Sequence, residues 1–115
     1  KDMIISGGEN IASSEVERVI YEHPAVKEAA VFARPHPRWG EVAVAAIVLA
    51  EGKEMTYQQL LDHCRARLAG FKCPKDMVLL AQLPRNPSGK VLKRRLRELD
   101  AEGAFVTQEK VDSRA

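Results

Sequence analysis

Glu41-Val42-Ala43-Val44-Ala45-Ala46-Ile47-Val48-Leu49 is the stretch that decides the fold. After its first residue every side chain is apolar. A strand with one wet face alternates polar and apolar residues, and this one does not. It therefore reads as a central strand buried on both faces. Glu51-Gly52-Lys53 ends it in a turn. Upstream, Val26 to Ala33 reads as a second strand. Before that, a helix runs to about Glu22, with Val16, Val19 and Ile20 on its apolar face, and His23-Pro24 stops it. Ser14 and Glu17 have the spacing of a capping box for that helix. Downstream, Thr56 and Gln59 form a second capping box, with Met55 placed to staple onto Leu60. Tyr57, Leu60, Leu61, Cys64 and Leu68 share one helical stripe, and Gly70 stands where a C-terminal cap glycine belongs. Asp76 to Leu80 reads as a third strand, and Leu92, Leu96 and Leu99 as the stripe of a last helix.

Met3 to Ser6 is a short strand broken by Gly7-Gly8, which gives an N-terminal β-hairpin. Strands and helices interleave, so the expected fold is α+β: a small mixed β-sheet of about three strands with packed helices, plus that hairpin. Residues 1–102 form the expected domain, and residues 103–115 lose periodicity and read as a flexible tail.

At 115 residues the chain is one domain with room for a modest core. Its 45% hydrophobic and 30% charged residues are those of a globular protein. A net charge of +2 argues against a dedicated nucleic-acid binder, and no recognised nucleic-acid motif is present. Lys90, Lys93, Arg94, Arg95 and Arg97 nevertheless cluster, which reads as a solvated helix face. Cys64 and Cys73 have neither redox nor metal spacing. His23, His36 and His63 are scattered, so no metal site is expected. No apolar run approaches the about 18 residues of a membrane span, so no transmembrane segment is expected. Unpaired thiols suit a reducing, cytoplasmic setting. The chain starts inside a strand pattern, as a piece of a longer protein would.

Pro84-Arg85-Asn86-Pro87-Ser88-Gly89-Lys90 mounts one lysine on a restricted, glycine-ended loop. A point cation with three donors suits a crowded phosphate or carboxylate oxygen. The loop is not a Walker A motif: Pro84 stands at the first glycine position and Val91 at the Ser/Thr position. Lys90 is better read as a group delivered to a site built elsewhere.

This segment resembles the P-x-x-x-x-G-K signature of adenylate-forming enzymes, the superfamily of acyl-CoA synthetases, adenylation domains and luciferase. Lys1-Asp2-Met3-Ile4-Ile5-Ser6-Gly7-Gly8-Glu9-Asn10-Ile11 resembles the hinge motif of that family. His36-Pro37-Arg38-Trp39-Gly40-Glu41 and Gly70-Phe71-Lys72-Cys73-Pro74-Lys75 resemble two further landmarks, and all four occur in order across residues 1 to about 97. The resemblance is to the C-terminal mobile domain of an acyl-CoA synthetase, which joins acid, ATP and CoA to give acyl-CoA, AMP and pyrophosphate.

The resemblance implies roles residue by residue. Lys90 would contact the acid carboxylate and the α-phosphate of ATP during adenylation. Lys1 would be the hinge. Gly7 and Gly8 would border the pantetheine tunnel, and Trp39 would stack on the CoA adenine. Phe71, Lys72 and Lys75 would offer a flat face beside cations for the CoA phosphates. Cys73 departs from the pattern, where a basic residue is common. ATP, with Mg, would be bound mainly by a large N-terminal domain, the implied partner. Two other readings are a carrier-protein-loading adenylation domain and a non-enzymatic basic binding module.

Overall fold

The computed structural model describes residues 2–105. Lys1, the expected hinge, and residues 106–115 of the expected tail lie outside the described residues. Among the described residues the strands are β1 (Met3–Ser6), β2 (Glu9–Ala12), β3 (Val26–His36), β4 (Gly40–Leu49) and β5 (Asp76–Leu79). They form one sheet in the order β2-β1-β4-β3, with β5 also on β4. The helices are α1 (Ser13–Tyr21), α2 (Tyr57–Arg65) and α3 (Lys93–Ala101), with a 3-10 turn at Gly70–Lys72.

β4 is central, as its unbroken apolar pattern requires. β3 pairs antiparallel along one edge of it, from Val26↔Leu49 to His36↔Gly40. The other edge is shared. β1 meets it at Ser6↔Gly40, and β5 runs parallel to it from Val44↔Asp76 to Ile47↔Leu79. The sheet is thus mixed, and the hairpin is part of it rather than an appendage. Ala43, Ala45 and Ile47 pack with Val16, Ile20, Leu60 and Cys64 beneath α1 and α2. Val44, Ala46 and Val48 face the other way, with Phe32, Val78 and Leu96 beneath α3. Both faces of β4 are therefore covered. Phe105 packs against the second layer. No helix among the described residues is long and apolar enough to cross a membrane.

Local signals hold at some element ends and fail at others. Thr56 Oγ1 accepts from Gln59 N at 3.1 Å while Gln59 Oε1 accepts from Thr56 N at 2.8 Å, completing the α2 capping box. The Ser14–Glu17 box does not form. α1 follows Ala12 with no side-chain cap, because the Glu17 carboxylate is used elsewhere: it accepts from Val31 N at 2.8 Å and from Lys93 Nζ at 2.6 Å. Gly70 does not cap α2, which ends four residues earlier with Ala66 as its cap. β3 runs on through Pro35 to His36, which is possible because an edge strand tolerates a missing N–H. The last helix buries Leu96 fully but leaves Leu92 exposed.

Candidate functional site

The Gly40 end of the sheet carries most of the residues expected to meet CoA. Ser6 and Glu9 face each other across a two-residue turn, and Gly7 and Gly8 make that turn with φ of 57° and 85°. Positive φ at both central residues matches the right-handed twist of a hairpin and strongly favours glycine. Gly7 N donates to Trp39 O at 2.8 Å. The indole lies against the Gly7 Cα, and a Cβ there would sit 2.9 Å from Trp39 Cε3. His36 holds the other side of the loop: its Nδ1 accepts from Arg38 N at 3.0 Å and Trp39 N at 3.1 Å. Two backbone donors fix Nδ1 as the unprotonated nitrogen. The Arg38 guanidinium stands 4.8 Å from the centre of the Trp39 ring.

Trp39 is 41% exposed and Phe71 42% exposed. Neither plugs the core, and together they flank a slot of about 180 Å³ lined by Ser6, Gly7, Glu9, Trp39, Phe71 and Lys75. Four residues named from sequence, Gly7, Trp39, Phe71 and Lys75, thus meet at one feature. Gly8 makes the turn but does not line the slot. Lys72 does not line it either: its ammonium is held by Glu15 of α1 at 3.0 Å.

Trp39 and Lys75 also line a wider cavity of about 580 Å³, which runs beneath β3 and α2 and includes Arg34, Arg38, Tyr57, Arg65 and Cys73. Sequence reasoning missed the arginines. Tyr57, Leu61 and Arg65 recur at four-residue spacing on one face of α2, and Arg34 and His36 alternate along β3. Either period could have exposed them. Tyr57 Oη donates to Pro74 O at 2.7 Å and Lys75 N donates to Ala43 O at 2.9 Å, which fixes the segment carrying Lys75.

Arg34 is already occupied. It meets Asp100 through Nε and Nη2, both at 2.8 Å, and Asp76 through Nη1 at 2.8 Å. The bonds to Asp100 lead in holding its charge more firmly than usual, against the cost of burial. Burial pushes the Cys64 thiol up to about 12. It raises the Cys73 thiol too, with Lys75 and Arg65 pulling the other way. Both cysteines are free and buried. Cys73 presents no charge to the cavity.

Lys90 lines neither cavity. Its loop closes on itself: Leu92 N donates to Pro84 O, Asn86 N to Lys90 O and Gly89 N to Asn86 O, each at 2.9 Å. The Asn86 carboxamide oxygen accepts from Lys90 N at 2.9 Å, and Gly89 turns with φ of 94°. Arg85 ties the loop to the sheet by donating to Glu28 Oε1 at 2.7 Å. Lys90 is exposed, and its ammonium makes no ion pair among the described residues. Lys93, in contrast, leaves the solvated face expected of it. Its ammonium bridges Glu17 at 2.6 Å, Asp2 at 3.0 Å and Ser13 Oγ at 3.1 Å.

The domain thus carries an aromatic, cation-lined slot at one end of its sheet and an exposed lysine tied near the other. The sequence profile of the AMP-binding enzyme C-terminal domain matches residues 15–90, and the chain belongs to that family. It is 51% identical over 98 residues to a long-chain-fatty-acid–CoA ligase, FadD13, of Mycobacterium tuberculosis, covering 85% of this chain and 19% of the relative. It is 50% identical over 99 residues to the peroxisomal trans-cinnamate:CoA ligase of Petunia hybrida, covering 86% and 17%. A solved Mycobacterium tuberculosis fatty acyl CoA synthetase superposes with a TM-score of 0.83 at 45% identity, over 89% of this chain and 20% of that one. The chain thus spans about a fifth of the length of the relatives it matches.

Proposed function

We propose that this chain serves as the mobile C-terminal domain of an ATP-dependent acyl-CoA synthetase. The parent enzyme joins a carboxylic acid to ATP, releases pyrophosphate, then passes the acyl group from AMP to the CoA thiol. Lys90 serves the first step and the Trp39 slot the second. ATP and its Mg are held mainly by the large N-terminal domain, and Lys1 is the hinge between the two domains. The free, buried thiols suit a reducing compartment.

The observation that carries this reading is the separation of the two groups. β1, β3, β4 and β5 bring Gly7, Trp39 and Lys75 to the Gly40 end of the sheet, while Arg85 ties the Lys90 loop to Glu28, opposite Val48. At about 3.3 Å per residue, Gly40 and Val48 of β4 are roughly 26 Å apart. A domain with such a layout presents one group and then the other by turning on its hinge.

Negative charge crowds at phosphorus as the acid attacks, and a preorganised cation there lowers the barrier. Lys90→Ala in the parent enzyme is therefore expected to slow adenylation by about 10²–10³. CoA-dependent turnover of supplied acyl-adenylate should be largely retained. Equal loss in both half-reactions would make the Pro84 to Lys90 loop purely structural. A carrier-protein-loading domain is less well supported, because the Trp39 slot suits a nucleotide-bearing thiol.

A further inference from the structure

The hairpin that carries Lys90 is held by more bonds than a turn requires. Arg85 and Val91 form an antiparallel bridge at its base, and Asn86 N donates to Lys90 O at 2.9 Å. Those bonds close the turn. Further bonds converge on one peptide unit, the link between Gly89 and Lys90. Its carbonyl, Gly89 O, accepts from Arg85 Nη1 at 2.7 Å. Its amide, Lys90 N, donates to Asn86 Oδ1 at 2.9 Å. Ser88 Oγ donates to the same carboxamide oxygen at 2.8 Å. Gly89, at φ of 94°, is the joint with the most conformational freedom in the hairpin. Side chains hold both polar groups of the peptide that follows it, so the Cα–Cβ bond of Lys90 leaves that peptide in one direction.

We propose that Arg85 is a positioning residue for adenylation: it clamps the Gly89–Lys90 peptide to Glu28 of the sheet and so aims the Lys90 ammonium. The proposal rests on the adenylation reading of Lys90 and adds a residue to it. Arg85 Nη2 donates to Glu28 Oε1 at 2.7 Å, and Glu28 pairs with Val48 of β4. One planar guanidinium therefore joins the peptide before Lys90 to a packed strand, two acceptors on two elements that an ammonium cannot span in fixed geometry. Nη1 and Nη2 are both committed within the domain, so Arg85 acts through Lys90 and not on the substrate. Glu28 also offsets the Arg85 charge, leaving Lys90 as the one uncompensated charge between Pro84 and Val91. A lysine ends in a flexible four-carbon stem. Fixing the base of that stem matters because a cation lowers the barrier only where charge develops, and a misplacement of about 1 Å can cost about 10² in rate.

The test uses the full-length parent enzyme and measures acid-dependent pyrophosphate release separately from CoA-dependent turnover of supplied acyl-adenylate. Arg85→Met keeps the stem and removes the fork. It should lower kcat for adenylation about ten- to hundredfold, with little change in KM for the acid or ATP, because the aimed cation acts in the transition state. The CoA half-reaction should stay at the wild-type rate. Arg85→Lys can meet one acceptor at a time and should restore part of the loss. Lys90→Ala/Arg85→Met should be no slower than Lys90→Ala alone, because a residue that acts only through Lys90 then has nothing to position. Arg85 is exposed, so both Arg85 variants should keep the wild-type melting temperature. Wild-type adenylation in Arg85→Met, equal loss in both half-reactions, or a further loss on top of Lys90→Ala would each overturn the proposal. A Lys90→Ala enzyme that adenylates normally would instead overturn the adenylation reading, whatever the Arg85 variants do.

Discussion

Gly7→Ala tests how the hairpin holds Trp39, and Gly8→Ala supplies its control. Both glycines have positive φ, 57° and 85°, so an alanine at either position takes a backbone strain of about 1–2 kcal/mol. Their surroundings differ. A Cβ at Gly7 would stand 2.9 Å from Trp39 Cε3 and 3.4 Å from Cζ3, whereas nothing lies within 4 Å of a Cβ at Gly8. The Gly7 variant must therefore push the indole aside by several tenths of an ångström. The ring is partly exposed and can move, so the added loss of stability should stay within about 1 kcal/mol. Trp39 is the only tryptophan, and its fluorescence reports the displacement directly. We expect Gly7→Ala to shift the emission and Gly8→Ala to leave it in place, with similar losses in denaturant midpoint. In the parent enzyme only Gly7→Ala should raise KM for CoA. Equal emission changes in the two variants, or none in Gly7→Ala, would refute the claim that Gly7 seats the ring.

Trp39→Ala should raise KM for CoA by one to two orders of magnitude, from about 1–3 kcal/mol per stacked base, and leave adenylation nearly untouched; assays of the two half-reactions check this. Leu96→Ala should cost about 2–5 kcal/mol in denaturant unfolding, since Leu96 is the one residue of α3 fully buried in the second layer. Cys64 should make stability fall in alkali. Its thiol ionises at an ordinary value of 9.0 when unfolded but at about 12 in the fold. Above pH 9 the unfolded chain therefore releases a proton that the folded chain keeps, and stability falls by about 1.4 kcal/mol per pH unit towards pH 12. Urea unfolding of the wild-type chain and of Cys64→Ala at pH 8 and pH 10 measures it: the variant should lose the smaller share of its stability.

What the sequence discloses is set by how local the cause is. β4 was legible because burial on both faces removes every polar residue from the run. The α2 start was legible because Thr56 and Gln59 satisfy each other within one turn. The α1 start misled because Ser14 and Glu17 have the same spacing, yet Glu17 answers to Val31 and Lys93, 14 and 76 residues away. The same distant pairing removed Lys93 from the solvated face that its basic neighbours suggested. Lys72 was assigned by its place beside Phe71, and only the fold brings Glu15 to it. Arg65 shows the converse. Its helical period with Tyr57 and Leu61 was present in the sequence, but a charge on an apolar stripe reads as the edge of the stripe until the cavity it faces is known.

On the proposed reading, one small sheet carries the groups of both chemical steps. Its two termini of function are not separate lobes but neighbours of one rigid strand. Trp39 immediately precedes β4, and Lys75 is bonded to Ala43 within it. The Lys90 loop is bonded to Glu28, which pairs with Val48 near the strand's other end. Val42 to Val48 of β4 are buried, so this span cannot shift without disturbing a packed layer. Under the proposed domain rotation, both groups would then move as one body. Asp2 is itself tied to this body, because its carboxylate meets Lys93 at 3.0 Å and its carbonyl accepts from Ser13 N at 3.0 Å. Any rotation that carries Asp2 with the sheet would therefore, on the proposed reading, withdraw Lys90 and present Trp39 in a single motion.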